Sequence, residues 1–300
     1  MKKTHSSFVT IIGRPNVGKS TLLNALLGEK IAITSDRPQT TRTKIMGVLT
    51  INETQIVFTD TPGMLSPKNK LGHHMKRAII DAVSEVDMII LVTEAFNKKP
   101  DETEVSLIES IKKQNSKAIL VINKTDCIKD KKRLASLIDE YRALYDFEEI
   151  IPASAQEGFN LDIILNSIAK NAPEMPHFFP DDTLTDQPEK VIAAELIREK
   201  ILQLLRDEVP HGVAVSIDKM RERENKDIID INATIFCEKK SHKGILIGKA
   251  GSMLKKIGML SRKDLEEFLG KSVNLQCWVK ISEDWRNKEG IIKEFGLSDE

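Results

Sequence analysis

Gly13-Arg14-Pro15-Asn16-Val17-Gly18-Lys19-Ser20 is the stretch whose reading decides the fold. It matches the phosphate-cradling pattern G-x-x-x-x-G-K-[ST] at every fixed position. An apolar run over residues 8–12 precedes it and reads as a buried strand. A helical pattern with Leu22, Leu23, Ala25, Leu26 and Leu27 follows it and stops at Gly28. Strand, glycine loop and helix form the context that the pattern requires. The glycines let the chain turn tightly around a phosphate with no Cβ in the way. Amides of residues 16–20 then point inward at a helix start, where the dipole favours an anion. Lys19 supplies a point charge to the β- and γ-phosphates, and the Ser20 hydroxyl suits Mg²⁺. The candidate nucleotide contacts in this loop are Gly13, Arg14, Pro15, Asn16, Val17, Gly18, Lys19, Ser20 and Thr21.

Around this loop, apolar runs alternate with helical patterns. Strands are predicted over 8–12, 44–51, 55–59, 88–92, 118–122 and 150–152, and helices over 76–83, 103–114, 132–145 and 161–170. That order predicts an α/β domain: a mostly parallel sheet with helices on both faces. A ligand should sit beyond the carboxyl ends of its strands. Asp60-Thr61-Pro62-Gly63 follows one predicted strand. There Asp60 can hold Mg²⁺ through water, and the Gly63 amide can meet a γ-phosphate. Asn123-Lys124-Thr125-Asp126 follows another strand. The Asp126 carboxylate can accept two hydrogen bonds from guanine, whereas adenine would leave it desolvated and unpaired, at a cost of roughly 1–3 kcal/mol. Asn123 and Lys124 can brace the ring and the phosphate loop. In the turn Ala153-Ser154-Ala155, with Ser154 and Ala155 as candidate contacts, a backbone amide can donate to guanine O6. Pro38-Gln39-Thr40-Thr41-Arg42-Thr43 reads as a mobile loop whose Thr41, favoured over Thr40, completes the Mg²⁺ shell. The predicted metal ligands are therefore Ser20, Thr41 and Asp60. A second moving segment is predicted over 64–70, with His73 and His74 on the surface.

With 300 residues, one large or two ordinary domains are expected. Apolar content of 40% and charged content of 30% suit a soluble globular protein. No stretch of about 20 residues is apolar without charges, which excludes a transmembrane span, and no signal peptide is expected. Three cysteines without metal-ligand spacing fit a reducing cytosol; Cys237 and Cys277 read as core thiols and Cys127 as an incidental loop thiol. The 45 basic and 45 acidic residues cancel, which argues against nonspecific nucleic-acid binding. Their distribution is uneven, however. Residues 239–263 hold eight Lys or Arg and no Asp or Glu, and 173–190 hold five acidic residues and one basic.

The α/β pattern breaks at Pro173, where prolines and aspartates mark an irregular connector. The predicted organisation is a nucleotide-binding domain over 1–172, a linker over 173–190 and a second domain over 191–300. The second domain reads helix, strand, strand, helix, helix, strand: a helix over 191–207, a hairpin of alternating strands over 213–217 and 229–237, and a last strand over 273–281. Between its two central helices lies Gly248-Lys249-Ala250-Gly251, the G-x-x-G clamp of a KH module, here a smaller α+β domain of type II. Two glycines let an RNA backbone pass close, and Lys249, Lys255 and Lys256 add charge. The candidate RNA contacts are Gly248, Lys249, Ala250, Gly251, Lys255 and Lys256. Trp278 and Trp285 read as core or capping residues rather than base-stacking ones.

The first-domain motifs resemble those of translation-factor-type P-loop GTPases, with one departure. The position of the water-orienting Gln after the D-x-x-G glycine is occupied by Met64. In some relatives with an apolar residue there, a phosphate-loop Asn helps bind K⁺; Asn16 matches that position. The catalytic candidates are thus Lys19, Thr41, Gly63 and Asn16, with GTP or GDP and Mg²⁺ as cofactors and K⁺ as a further one. With the KH arrangement added, nearly the whole chain resembles the Era family of bacterial GTPases. Residues 13–27, 38–42, 60–63 and 247–258 carry the resemblance, besides Ile197-Arg198-Glu199-Lys200 and Trp278-Val279-Lys280. It implies slow GTP hydrolysis, KH binding near the 3′ end of 16S rRNA and a role in small ribosomal subunit assembly. A cytoplasmic monomer follows, with peripheral association with the inner face of the cell membrane and no DNA partner. GTP-dependent ordering of the two mobile segments is expected to favour RNA capture. Two other readings stay open: an RNA-binding assembly scaffold with a structural nucleotide pocket, and a GTPase acting on tRNA or membranes.

Overall fold

A computed structural model describes residues 3–297 except 36, 38–39, 64–68, 85, 130 and 225. Pro38 and Gln39 of the first expected mobile loop, and residues 64–68 of the second with Met64 among them, lie outside the described residues. The chain divides into two compact units, Met1–Ser66 with Met75–Asp186, and Pro67–His74 with Gln187–Glu300.

The first unit holds β1 (His5–Gly13), α1 (Lys19–Leu27), β2 (Ile45–Ile51), β3 (Thr54–Asp60), α2 (Lys70–Ser84), β4 (Met88–Glu94), α3 (Glu102–Gln114), β5 (Ala118–Asn123), α4 (Lys131–Arg142), β6 (Glu149–Pro152) and α5 (Leu161–Asn171). Helix α2 starts earlier than predicted and contributes its first turns to the other unit. The sheet order is β2-β3-β1-β4-β5-β6. Only β2 runs antiparallel to its neighbour; its first residue Ile45 pairs with Asp60, the last of β3. The start of β2 therefore shares the sheet edge where the parallel strands end.

Successive side chains of a strand point to opposite faces, and the core follows that rule. Val9, Ile11, Ile90 and Val121 join Leu22, Leu23, Ile164 and Ile168 of α1 and α5 in one cluster. Ile12, Leu91, Leu120 and Ile122 join Leu107, Ile111, Leu137 and Tyr141 of α3 and α4 in another. The near-continuous apolar strands are thus buried on both faces, the signature of a doubly covered sheet.

The proline-rich connector begins against this unit. The Gln55 side-chain oxygen accepts from the amides of Phe178 and Phe179 at 2.8 and 3.0 Å. The Val48 amide donates to Leu184 (2.8 Å), giving the β2 edge a partner.

The second unit comprises α6 (Glu189–Leu204), β7 (Val213–Glu222), β8 (Ile228–Cys237), α7 (Lys240–Ile247), α8 (Ser252–Leu269), β9 (Ser272–Ile281) and α9 (Glu289–Glu294). Its sheet order is β7-β8-β9, with β7–β8 antiparallel and β8–β9 parallel. Leu196, Ile197, Ile231, Ile235, Leu246 and Leu265 are buried in it. The structure departs from expectation in three places. Helix α6 stops at Leu204 because Leu205 is already extended. Helix α9 closes the chain where no helix was predicted; it is only six residues long. Trp285 is buried and its indole donates to Gly212 (2.9 Å), but Trp278 is 44% exposed on the edge strand β9 and is not a core residue.

Candidate functional site: a nucleotide cradle and a glycine clamp

Each sequence motif leaves the carboxyl end of its strand at one edge of the sheet. The phosphate loop follows β1, Asp60 ends β3, Asn123 ends β5 and Ala153 follows β6. Side chains then join the loops. Asn123 is buried; its Nδ2 donates to the Val17 carbonyl (2.9 Å) and its Oδ1 accepts from the Ala155 amide (3.0 Å). One amide side chain thereby pins the phosphate loop, the turn after β5 and the turn after β6 together. Gly18 sits under it with φ +98°, and a Cβ there would lie 2.4 Å from Asn123 Nδ2. Only glycine satisfies both demands.

Lys124 Nζ donates to the Asn16 carbonyl (2.6 Å), a second strap onto the loop. Asp126, expected to read the base, is exposed. The Ser154 hydroxyl donates to its Oδ1 (2.5 Å), and this bond holds the Asp126 pKa below the usual range. Cys127 is exposed as expected, and its thiol donates to Asp126 Oδ2 (3.2 Å). The amides of Ala153, Ser154 and Ala155 all donate within the protein, to Ile122, Phe159 and Asn123. An amide of Ala153, Ser154 or Ala155 that meets guanine O6 must therefore share its hydrogen.

Ser20, Thr41 and Asp60 converge. The Ser20 hydroxyl lies 2.6 Å from Asp60 Oδ2 and 2.8 Å from the Thr41 hydroxyl, which is itself 3.2 Å from Asp60 Oδ2. Thr40 instead bonds Ser35 and the Arg37 carbonyl. Asp60 Oδ1 is buried with no hydrogen-bond partner. Two hydroxyls gathered on one oxygen of a buried carboxylate, whose other oxygen has no partner, are hard donors that fit a small divalent cation such as Mg²⁺. Lys19 is buried and donates to the Gly13 and Arg14 carbonyls (3.2 and 2.9 Å). Burial lowers its pKa to about 8, opposed by Asp60, and burial raises that of Asp60. A phosphate beside Lys19 and a cation beside Asp60 would offset the burial of each charge. Gly63 packs on the loop: a Cβ there would sit 2.8 Å from the Pro15 Cα. Pro62 and Thr61 are buried before it, and the Thr61 hydroxyl donates to Ile11 (2.9 Å).

Arg14, read as a nucleotide contact, directs its guanidinium elsewhere. It meets Asp101 (2.5 Å), Glu104 (3.3 Å) and Glu94 (3.5 Å). Sequence reading missed these three carboxylates. The spacing Asp101-x-x-Glu104 was a legible capping box; Glu94, an acidic residue closing an apolar strand, was a weaker signal.

In the second unit, residues 248–251 join α7 to α8. Gly248 has φ +72°, and a Cβ there would meet the Met253 amide nitrogen at 2.8 Å. Lys249, Ala250, Lys255 and Lys256 are exposed. Helix α8 starts with no side-chain cap and no acidic residue in its first turn. The positive end of the helix dipole and these lysines make a positive surface suited to a phosphate backbone. Of the expected core thiols, Cys237 is buried, and Cys277 is partly buried with its pKa pushed up to about 12 by burial.

Comparison with known proteins agrees with this geometry. Residues 8–124 match the family described as 50S ribosome-binding GTPase, and residues 208–286 match the KH domain. GTPase Era of Clostridioides difficile is 50% identical over 294 residues, covering 98% of this chain and 99% of that protein. GTPase Era of Ruminiclostridium cellulolyticum is 50% identical over 97% of each. A variant of Aquifex aeolicus Era bound to GDP·AlF4⁻ superposes with a TM-score of 0.94 at 39% identity, covering 98% of this chain and all of that one. A crystal structure of Era with MgGDPNP and nucleotides 1506–1542 of 16S ribosomal RNA superposes at 0.93 with 40% identity, over 98% and 99%. The chain, an α/β P-loop GTPase domain followed by a KH domain, belongs to the Era family of GTPases.

Proposed function

We propose that this chain is a GTP-hydrolysing switch that binds 16S rRNA through its KH domain and acts in assembly of the small ribosomal subunit. The observation that carries the reading is one chain holding both a converged Ser20–Thr41–Asp60 cluster beside the phosphate loop and a Gly248–Gly251 clamp flanked by exposed lysines. The similar Era structure holding MgGDPNP and a 16S rRNA fragment supports the pairing of ligands.

Loop amides and Lys19 hold the β- and γ-phosphates. Ser20, Thr41 and Asp60 hold Mg²⁺, which when bound offsets charge developing on the phosphates. Asp126 selects guanine, and Asn123 and Lys124 keep its turn against the loop. The Gly63 amide meets the γ-phosphate, so that Thr41 and Gly63 both respond to its presence. With Met64 in place of a water-orienting Gln, unassisted turnover is on the order of 10⁻⁴ to 10⁻² per second. Asn16 would help hold K⁺, which would offset charge on the phosphates; turnover equal in K⁺ and Na⁺ removes that part. Cytoplasmic residence and peripheral membrane contact rest on the family resemblance alone; among the described residues no helix is long and apolar enough to cross a membrane.

Crosslinking the GTP-bound protein to total cellular RNA tests the reading. Enrichment of the 16S 3′ end is expected. Enrichment of tRNA, or of no RNA, overturns it. Phosphate release from GTP, with Lys19→Ala as control, separates the switch from a scaffold whose nucleotide pocket is only structural.

A further inference from the structure

Glu94 ends β4 between the two loops that the nucleotide occupies, and it serves both. Its Oε1 accepts from Lys124 Nζ at 2.5 Å, and its Oε2 lies 3.5 Å from Arg14 Nη2. The side chain is only 12% exposed. We propose that Glu94 is a positioning residue for the bound nucleotide, joining the guanine-reading motif to the phosphate loop through one ion cluster.

The cluster is built outward from α3. Asp101 and Glu104 form that helix's capping box, each spending one carboxylate oxygen on the other's amide. Their second oxygens face Arg14: Asp101 Oδ2 at 2.5 Å from Nη1 and Glu104 Oε1 at 3.3 Å from Nε. Thr93, bonded in turn by the Tyr141 hydroxyl (2.8 Å), donates to the same Glu104 oxygen (2.6 Å). Burial works against the Arg14 charge, and Glu104, Asp101 and Glu94 more than offset it. Arg14 is therefore anchored on its far side by α3, and Glu94 extends the anchor to Lys124.

Lys124 shows why the extension matters. Its ammonium donates to Glu94 and to the Asn16 carbonyl, and its charge lies 5.7 Å from the Phe96 ring centre. Its backbone is left-handed at φ +63°, and so is that of Asn16 at φ +67°. A free lysine side chain samples many rotamers. A buried carboxylate that fixes the ammonium removes that freedom before the nucleotide arrives, and it holds Asn16, the turn of the phosphate loop, in place.

Electrostatics alone predicts the opposite sign. Glu94, Asp101 and Glu104 outnumber Arg14 and Lys124 by one charge, three against two, and that surplus repels a polyphosphate. If field outweighs order, neutralising Glu94 slows nucleotide release. If order outweighs field, it speeds release.

The proposal rests on reading residues 13–20 and 123–126 as the nucleotide site. The test is the release rate of a fluorescent GDP from the full chain in wild type, Glu94→Gln, Lys124→Met and the double variant. Glu94→Gln is expected to speed release about tenfold. The double variant should be no faster than Lys124→Met alone, because both changes break the same connection. Glu94→Asp, which keeps the charge on a shorter stem, should fall between wild type and Glu94→Gln, and it reports if Glu94→Gln fails to fold. Release unchanged or slowed in Glu94→Gln, with Lys124→Met fast, overturns the positioning role. Fully additive effects overturn it too, since a merely structural defect adds. Release unchanged in Lys124→Met as well overturns it together with the reading of the base site.

Discussion

In the proposed nucleotide site, Asn123 is the residue that joins the loops. Both ends of its amide are used, one on Val17 and one on Ala155, and it is buried. Replacing it by Ala leaves a buried carbonyl and a buried amide without partners, a loss of roughly 2–4 kcal/mol in loop order at about 1–2 each. Asn123→Ala should therefore weaken GTP and GDP binding alike, by at least tenfold, as titration calorimetry would show. A selective loss of GTP alone would contradict that role. Asp126 acts differently, since its carboxylate is exposed and set by Ser154. Asp126→Asn replaces one acceptor by a donor. It should shift preference from guanine towards xanthine nucleotides, measured by competition; unchanged guanine preference would remove Asp126 from the base site. Lys19→Ala should lower phosphate release by roughly 10²-fold or more, because a buried charge beside the phosphates has no substitute.

At the scale of elements, the connector and the glycine clamp carry the testable content. His177 Nδ1 lies 2.7 Å from Asp181 and its Nε2 lies 3.2 Å from the Glu53 carbonyl. Two acceptors satisfy an imidazolium better than a neutral ring, and the Asp181 bond, opposed by desolvation, raises the His177 pKa. A raised folded-state pKa stabilises fully below the unfolded value near 6.5, and that stability is lost as pH rises through the folded value. His177→Gln should therefore lower the melting temperature more at pH 6 than at pH 9. An equal drop at both would show that the pair is not charge-assisted. In the clamp, Gly248→Asp with Gly251→Asp places side chains and two negative charges where the backbone of an RNA would pass. RNA binding should fall below detection in a filter or anisotropy assay while GTP hydrolysis without RNA stays at the wild-type rate. Retained RNA affinity would make the turn a simple helix connection.

On the scale of the whole molecule, much is legible in the sequence. The six strands, the five helices of the first unit and the αββααβ order of the second follow from apolar periodicity and glycine punctuation. The phosphate loop, Asp60 and residues 123–126 follow from spacing. What periodicity does not encode is where polar side chains go once the strands are aligned. The Arg14 cluster needs α3 laid beside the phosphate loop, and Gln55 needs the connector folded back on β3. Trp278 was misjudged because an edge strand exposes residues that an alternating pattern marks as buried. The proposed function also requires that nucleotide state and RNA affinity be linked. Linkage is reciprocal: if the GTP form binds RNA more tightly, RNA must favour GTP over GDP by the same factor. The most direct test is the dissociation constant for a 16S rRNA 3′-end fragment with GDP, with a non-hydrolysable GTP analogue and without nucleotide, at one fixed salt concentration. The account predicts binding at least fivefold tighter with the analogue than with GDP, in the range typical of such couplings. Equal affinity in all three states would contradict it.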